Sequence, residues 1–337
     1  ACPRPVARLR TMSAAAAAGD KRGAPGPEGG GGGGGLVPSK KPRCDSALVA
    51  SSGASGALSV PAGSVPRTSD LPAPIMKLSG HAGEVLTARF SPCGAFLATA
   101  GFDKTVLLWD VFRGCRNYCA LKGHHKAVLQ LVWAAGSERI YSCSADRTVC
   151  VWDAEYGEIA RRLVGHGSHV NAVATAREDP TMVVSGGDDS TCRIWDARAR
   201  FPQRTLSCRA QCTAVEASAD GRVVFEGGID NVVRAHDLRR GDSEGSVLFE
   251  LEGHLDTVTG VRLSPDGTHL LTNGMDNTVR SWDVRPFVPG DTRAVRVFLG
   301  AQHNHEKNLL RCAWGPDGRQ ATAGSSDWLL HVWDVGT

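Results

Sequence analysis

The chain has 337 residues, of which 42% are apolar, and its 38 Lys or Arg nearly balance 35 Asp or Glu to leave a formal charge of +3. No apolar run approaches the ~18 residues of a membrane span, and no charged-then-apolar signal sequence is present. These features exclude a membrane-spanning helix and a secreted precursor, and they predict a soluble intracellular protein.

Residues 1–72 differ in composition from the rest of the chain. Ala14–Ala18 and Gly29–Gly35 are uninterrupted runs, and Pro, Ser and Gly fill most of the remainder. Such a segment cannot bury enough apolar area to offset the entropy lost on ordering. We therefore predict a disordered tail at 1–72, followed by a folded domain at 73–337.

The two parts also differ in charge. Residues 1–74 carry nine Lys or Arg against four Asp or Glu, whereas the rest of the chain carries 29 against 31. The folded domain therefore lacks the basic surface that binding to a phosphate backbone requires. Its expected partners are proteins.

The start of the tail suggests where the natural protein begins. Met12 is followed by Ser13 and an alanine run, the small residues usual after an initiator methionine. We hypothesise that the natural protein starts at Met12, which N-terminal peptide mass spectrometry would test. The Arg- and Ala-rich first residues also resemble a transit peptide, an interpretation that Asp20, Glu28 and the following glycine run disfavour.

A short basic cluster lies in the middle of the tail. Lys40, Lys41 and Arg43 surround a proline in a stretch expected to be exposed, and such clusters suit nuclear import receptors. A charge run that only improves solubility is the alternative. We favour import and therefore a nuclear location.

The rest of the chain repeats one unit six times. Each unit contains an aspartate that lies six residues before a Trp, or before His236 in the fourth unit: Asp103, Asp146, Asp189, Asp230, Asp276 and Asp327. In five units a histidine lies 22 or 23 residues before that aspartate: His81, His124, His166, His254 and His305. The intervals between the aspartates are 43, 43, 41, 46 and 51 residues. This pattern resembles the WD-repeat β-propeller family, in which each repeat forms one four-stranded blade.

The first unit shows how the strands are predicted. Val85–Phe90 is an apolar run that ends at the turn Ser91–Gly94, and a second run, Phe96–Ala100, follows. A third run, Thr105–Trp109, begins just after the aspartate. Short apolar runs separated by turn residues are typical of strands that are buried on both faces. We therefore predict an all-β fold of six four-stranded blades.

Four residues of each regular unit are spaced to converge within one blade. The family resemblance implies a hydrogen-bonded tetrad in which the Trp indole reaches a hydroxyl, then the imidazole, then the carboxylate. Such a linked set satisfies buried polar groups and fixes strand register. The predicted tetrads are His81, Thr99, Asp103 and Trp109; His124, Ser142, Asp146 and Trp152; His166, Ser185, Asp189 and Trp195; and His254, Thr272, Asp276 and Trp282.

Two units depart from this pattern. The fourth unit lacks Gly-His, carries Glu226 in place of the hydroxyl residue and carries His236 in place of the Trp. The sixth unit has Ala323 at the hydroxyl position, which interrupts its network.

A repeated His and Asp could suggest a hydrolase or a metal site. A catalytic site needs such a group once, whereas a scaffold needs it in every blade, and the chain has no Gly-x-Ser-x-Gly, P-loop or His-Glu-x-x-His motif. We therefore predict no enzyme activity, no cofactor and no small-molecule substrate.

Cysteine usage bears on metal binding. The eleven cysteines are an odd number spread through predicted strands, which indicates reduced core residues and not a disulfide framework. Cys115 and Cys119, and likewise Cys208 and Cys212, have three residues between them. Because no second pair at ligand spacing accompanies either one, we predict no metal, with zinc as the alternative.

The residue before each turn aspartate is predicted to lie at the rim of the narrower propeller face, around the central channel. These residues are Phe102, Ala145, Asp188, Ile229, Met275 and Ser326. Phe102, Ile229 and Met275 are large and apolar, and an exposed apolar cluster often marks an interface. We predict partner binding through these three residues, the alternative being that neighbouring side chains half-bury each one.

Several segments carry a more specific resemblance. They are Leu36–Pro38, Ala73–Met76, Ala100–Asp103, Gly227–Asn231, Gly274–Phe287 and Glu306–Cys312. These segments resemble the WD-repeat proteins of the U5 small nuclear ribonucleoprotein, and the resemblance covers about residues 73 to 335. It implies a non-catalytic scaffold that acts in pre-mRNA splicing in the nucleus. The implied partners are spliceosomal proteins, chiefly the large U5 core protein, with RNA reached only indirectly through the particle.

The resembled proteins close their ring with seven blades, so this chain is predicted to lack the last repeat at its C-terminal end. Blade angle depends on the packing of large side chains between neighbours, so we predict seven-fold spacing with a gap between the sixth and first blades. Ile75–Leu78 would then not pair with the strand that ends at Trp333. In the alternative, six blades close and these residues complete the last blade.

A second function remains open. The segments Trp195–Arg198 and Trp282–Arg285 resemble the WDxR box of substrate receptors of cullin-type ubiquitin ligases. The same motif occurs in unrelated propellers, where its Arg is a solvated residue at the end of a strand.

Overall fold

The computed structural model describes residues 76–241, 246–288, 292–304 and 308–336. Within these ranges all the regular secondary structure is β-strand, and the 23 strands form six antiparallel sheets. The prediction of an all-β propeller with six blades is confirmed. The tail predicted at 1–72 lies outside the described residues, so its disorder and the boundary at residue 73 stay predictions.

The blades follow one another along the chain, and neighbouring strands within a blade are consecutive in sequence. Blade one contains β1 (Val85–Phe90), β2 (Phe96–Gly101), β3 (Thr105–Asp110) and β4 (Arg116–Lys122). Blade two contains β5 (Val128–Trp133), β6 (Arg139–Ser144), β7 (Thr148–Asp153) and β8 (Ile159–Val164). Blade three contains β9 (Val170–Thr175), β10 (Met182–Gly187), β11 (Thr191–Asp196) and β12 (Arg204–Ser207).

The remaining blades continue the series. Blade four contains β13 (Cys212–Ala217), β14 (Val223–Gly228), β15 (Val233–Asp237) and β16 (Val247–Leu251). Blade five contains β17 (Val258–Leu263), β18 (His269–Gly274), β19 (Thr278–Asp283) and β20 (Ala294–Leu299). Blade six contains β21 (Cys312–Trp314), β22 (Gln320–Gly324) and β23 (Leu330–Asp334).

In blades two to five the inner strands are largely buried on both faces because each of these blades packs between two others. In β7 the four residues Val149–Trp152 are all buried, although successive side chains of a strand point to opposite faces. Five apolar clusters lie between successive blades, from blades one and two to blades five and six. The Trp133 indole in blade two also donates to the Arg89 carbonyl oxygen in blade one at 2.9 Å. These contacts stack the blades.

All six turns between the second and third strands share one backbone shape. The residue after each turn aspartate has a left-handed φ between 55° and 70°: Lys104, Arg147, Ser190, Asn231, Asn277 and Trp328. Asn adopts this conformation more readily than Lys, Arg or Trp. Blades four and six have the same turn as the regular blades, at Asn231 and Trp328, although their tetrads differ.

Blade six differs from the predicted four-stranded blade, since it has three strands among the described residues. Met76–Leu78 is not in a strand, and β23 pairs with β22 alone. The predicted absence of pairing therefore holds for these three residues, while Ile75 lies outside the described ranges. Among the described residues β23 has no strand partner besides β22, so its other edge is open there. The seven-fold spacing itself stays a prediction.

The facing sides of blades six and one are also open. Leu330 in β23 is 68% exposed, whereas Val279, at the equivalent position of blade five, is fully buried. Phe90 and Val85 in β1 are exposed as well. Within the described residues no apolar cluster joins blade six to blade one.

Candidate functional site

The structure brings together the four residues of each predicted tetrad, as blade one shows. The Trp109 indole N–H donates to Thr99 Oγ1 at 2.8 Å, and Thr99 Oγ1 lies 2.7 Å from His81 Nε2. His81 Nδ1 lies 2.7 Å from Asp103 Oδ2. An indole can only donate and a carboxylate can only accept. The indole therefore donates to the hydroxyl, and His81 donates from Nδ1 to the aspartate.

The same chain of bonds forms in blades two, three and five. The indole–hydroxyl distances are 2.7, 2.8 and 2.8 Å for Trp152, Trp195 and Trp282. The hydroxyl–imidazole distances are 2.8, 2.7 and 2.7 Å at His124, His166 and His254. The imidazole–carboxylate distances are 2.8, 3.0 and 3.0 Å at Asp146, Asp189 and Asp276.

In the four regular tetrads, hydrogen bonds to the turn aspartate lower its pKa and favour its ionised form. Burial alone would raise the pKa of the Asp146 carboxyl, but hydrogen bonds from His124, Thr148 and a backbone N–H outweigh burial and hold that pKa well below its usual range. The pKa of Asp276 is lowered in the same way. Burial lowers the pKa of His166, which agrees with a neutral imidazole in the tetrad.

Blade four has another chemistry at the tetrad positions. Cys208 lies 22 residues before Asp230, where other blades have the histidine, and it donates to Glu226 Oε2. His236 replaces the indole, and its Nε2 lies 3.2 Å from Glu226 Oε1. Sequence reasoning noted Glu226 and His236, and it noted Cys208 as one of a cysteine pair, but it did not assign Cys208 to the histidine position, although its spacing of 22 residues to Asp230 was a usable signal.

Blade six retains only part of the network. His331 Nε2 lies 3.0 Å from Asp327 Oδ2, and the Trp333 indole donates to the Leu299 carbonyl oxygen at 3.2 Å because Ala323 offers no hydroxyl. The predicted histidine of this unit, His305, lies outside the described residues.

The predicted rim residues occupy equivalent positions. In every blade the N–H before the turn aspartate donates to a carbonyl oxygen of the segment that leads into the inner strand, over 2.8–3.2 Å. We call the end of the blades that carries these six turns the turn face. There Phe102 is 53% exposed, Ile229 is similarly exposed, and Met275 is half-buried.

Two further apolar side chains lie on the turn face, and sequence reasoning missed both. Trp328 follows the turn aspartate of blade six and is 96% exposed. Leu255 is 82% exposed, and its N–H donates to Asp276 Oδ2 at 3.0 Å, which places it beside the turn of blade five. Exposed Trp and Phe side chains are frequent anchors of protein interfaces. The turn face is therefore the candidate docking surface for a partner protein.

The central channel contains a second feature that sequence reasoning missed. Arg311 of blade six donates to the carbonyl oxygens of Thr259 at 2.7 Å, Thr213 at 3.0 Å and Asn171 at 2.9 Å. One side chain thus bonds blades three, four and five. Burial lowers the pKa of Arg311, but an arginine stays charged under ordinary conditions.

Other arginines line the same channel. Arg262 of blade five pairs with Glu216 of blade four at 2.9 Å. The positive charge of Arg262, together with burial, lowers the pKa of Arg89 in blade one to about 9. Charged groups therefore meet at the axis, whereas the interfaces between blades are apolar.

The arginines of the two WDxR segments differ in their surroundings. The Arg285 guanidinium pairs with the Asp283 carboxylate two residues earlier, from Nη2 and from Nε at 3.0 Å. Arg239 makes the same pair with Asp237 in blade four. Arg198 is exposed, and its backbone N–H donates to Asp196 Oδ1. Arg285 and Arg239 thus close local turns within their own blades.

Lys40, Lys41 and Arg43 lie outside the described residues. In the part of the chain that the structure describes, no helix is long and apolar enough to cross a membrane.

Five of the six repeats match one family. The sequence model described as "WD domain, G-beta repeat" matches residues 72–110, 115–153, 157–196, 245–283 and 296–334. The matched ranges cover more than half of the chain, and the longest internal stretch without a match contains the first three strands of blade four, β13, β14 and β15. The chain belongs to the WD40 repeat family.

Its similarity extends to particular members of that family. The chain is 46% identical over 306 residues to the U5 small nuclear ribonucleoprotein 40 kDa protein of Homo sapiens, covering 89% of this chain and 84% of the relative. The protein of that name from Dictyostelium discoideum is 43% identical over 271 residues, covering 80% of this chain and 75% of the relative. The pre-mRNA-splicing factor cwf17 of Schizosaccharomyces pombe is 42% identical over 269 residues, covering 80% and 78%. The resemblance drawn from the sequence segments is confirmed.

Proposed function

We propose that this protein is a non-catalytic scaffold of the U5 particle of the spliceosome and acts in pre-mRNA splicing in the nucleus. The observation that carries the proposal is the identity of 42–46% to relatives named for the U5 particle or for pre-mRNA splicing, over 80–89% of the chain. The partner is a spliceosomal protein, chiefly the large U5 core protein.

The surface chemistry supports protein binding as the activity. The turn face presents Phe102, Ile229, Leu255 and Trp328 as exposed apolar side chains. Apolar and aromatic residues on an otherwise polar surface are typical of protein interfaces. The tetrads have a structural role, since each His and Asp of a tetrad is bonded within its own blade.

Affinity purification from nuclear extract tests the proposal. A tagged copy of the chain should recover U5 proteins together with U5 RNA. Recovery of a cullin adaptor in their place would support the ubiquitin-ligase alternative and overturn the splicing role. That alternative is disfavoured because Arg285 is paired with Asp283 in its own blade.

The turn face is tested with matched double variants. Phe102→Ala with Met275→Ala should lower the yield of U5 proteins by at least about 5-fold if these side chains act as interface anchors. The control pair is Phe112→Ala with Phe287→Ala, two exposed phenylalanines in the same two blades. They lie between the third and fourth strands, at the opposite end of the blades from the turn face. Wild-type yield from a folded Phe102/Met275 variant would refute this docking surface.

Nuclear import through the basic cluster is a separate proposal. Replacing Lys40, Lys41 and Arg43 together by Ala should move a fluorescent fusion from the nucleus to the cytoplasm. A triple replacement at Arg4, Arg8 and Arg10 removes the same charge from another part of the tail and should leave the location unchanged. Unaltered nuclear accumulation of the first variant would leave the cluster with a solubilising role only.

A further inference from the structure

Blade four replaces several structural positions at once with residues that bind metals. Cys208 lies at the histidine position and Glu226 at the hydroxyl position. Cys212 begins β13, where β1, β5, β9 and β17 begin with Val85, Val128, Val170 and Val258. Random decay of a repeat does not favour two thiols and a carboxylate at three converging positions.

The three side chains meet inside the blade. The Sγ atoms of Cys208 and Cys212 and a carboxylate oxygen of Glu226 all lie within 4.8 Å of one another. Cys212 and Glu226 are buried, and Cys208 is half-buried. Zinc binds thiolates at about 2.3 Å and carboxylate oxygens at about 2.0–2.2 Å, so its ligands lie up to about 4.5 Å apart. Small side-chain rotations therefore suffice to place one ion between the three atoms.

Near these three side chains there are also buried polar atoms that have no hydrogen-bond partner. Glu226 Oε1 and His236 Nε2 are buried and make no hydrogen bond, although they lie only 3.2 Å apart. Glu226 is 97% buried, since its relative exposure is 3%. Buried polar atoms without a partner are rare in folded proteins.

The charged groups around Glu226 are arranged on its two sides. The cysteines face Oε2, whereas Arg234 lies 3.8 Å from Oε1. Arg234 is neutralised by Asp230 at 2.6 Å and by Glu250 at 3.2 Å. A cation at the thiols would therefore meet a carboxylate whose other oxygen lies 3.2 Å from His236 Nε2 and 3.8 Å from Arg234.

We propose that Cys208, Cys212 and Glu226 bind one Zn²⁺ ion in blade four. Two thiolates and a carboxylate are ligand types that zinc accepts. The ion links the β12–β13 connection to β14. It therefore fixes the same two segments that the histidine and hydroxyl hydrogen bond joins in the regular blades.

Metal analysis of the full chain, purified under reducing conditions, tests the proposal. We expect about one zinc ion per chain, and Co²⁺ in its place should give the near-ultraviolet absorption of cobalt–thiolate bonds. Glu226→Gln and the pair Cys208→Ser with Cys212→Ser should each lose the ion. Cys192→Ser is the matched control, because Cys192 is a buried cysteine of the adjacent blade outside the cluster, and it should retain the ion.

If the cysteine variants fail to fold, a variant of blade four with a rebuilt tetrad still tests the proposal. The variant C208H/C212V/E226T/H236W installs the residue types of the regular blades, so it should fold without metal and bind none. Absence of stoichiometric zinc and of a cobalt–thiolate spectrum in the native chain would overturn the proposal. So would a Cys208–Cys212 disulfide in the reduced preparation, or zinc that persists in the rebuilt variant.

Discussion

Arg311 Nη2 donates to the backbone carbonyl oxygen of Asn171 at 2.9 Å, although 140 residues separate the two in sequence. Arg311 belongs to blade six and Asn171 to blade three, so this bond crosses the central channel. Together with the bonds to Thr213 and Thr259, it holds the end of the chain against the middle blades.

The first prediction concerns this arginine. Arg311→Met should lower the free energy of unfolding by about 2–4 kcal/mol, since it leaves three carbonyl oxygens without a charged donor and each unsatisfied buried group costs about 1–3 kcal/mol. Urea denaturation followed by tryptophan fluorescence measures the change. Arg113→Met is the control, because the Arg113 side chain is 86% exposed. Equal midpoints for the two variants would contradict a bonding role for Arg311.

The second prediction concerns the tetrads. Asp276 accepts from the N–H of Leu255, from Thr278 N and Oγ1, and from His254 Nδ1. Asp276→Ala should therefore cost about 2–4 kcal/mol through unpaired donors, and the melting temperature should fall. Asp237→Ala in blade four should cost less, because the carboxylate of Asp237 bonds mainly to the exposed side chain and the N–H of Arg239. Differential scanning calorimetry compares the two, and equal losses would count against a tetrad-based account of stability.

The third prediction concerns pH. The pKa values of Asp146 and Asp276 are lower in the folded protein than in the unfolded chain, where the pKa of an aspartate is about 3.9. The unfolded state therefore binds more protons in acid, and the stability contributed by these carboxylates is lost as the pH falls below about 4. The pKa of His166 is also lowered, so its contribution starts to fall below about 6.5.

Denaturant unfolding at a series of pH values checks this order. The free energy of unfolding should fall slightly between pH about 6.5 and 5, and steeply below pH about 4. Asp276→Asn should flatten the steep part, whereas Asp256→Asn, which changes an exposed carboxylate of the same blade, should not. An unchanged slope in the Asp276 variant would show that other groups control acid unfolding.

The fourth prediction concerns the open edge at β23. An unpaired, exposed apolar strand is prone to pair with other chains, so the isolated chain should self-associate. Leu330→Lys should reduce that association while changing the free energy of unfolding by less than about 0.5 kcal/mol, as at other exposed positions. Val279→Lys, at the equivalent buried position of blade five, should unfold the protein. Light scattering over a concentration series measures association, and no change in the Leu330 variant would argue against this edge.

Relationships within one repeat were accessible from sequence. The tetrad of blade one joins His81, Thr99, Asp103 and Trp109, which span 29 residues, and its spacing recurs in each regular unit. Such contacts follow from strand length and turn length alone, because antiparallel neighbours are consecutive in the chain. The strands, the turn positions and the four regular tetrads could therefore be predicted from period and residue type.

Relationships between repeats depended on the tertiary structure. The bond of Arg311 to Asn171 and the exposure of Leu330 both depend on how blades stack around the axis. Stacking is decided by large side chains that pack between blades, and no local pattern encodes the angle they produce. The sequence determined which residues each blade contains, because the hydrogen bonds within a blade join residues that lie within about forty positions of one another. Tertiary packing decided which blade faces stay open and which residues of distant blades meet in the channel.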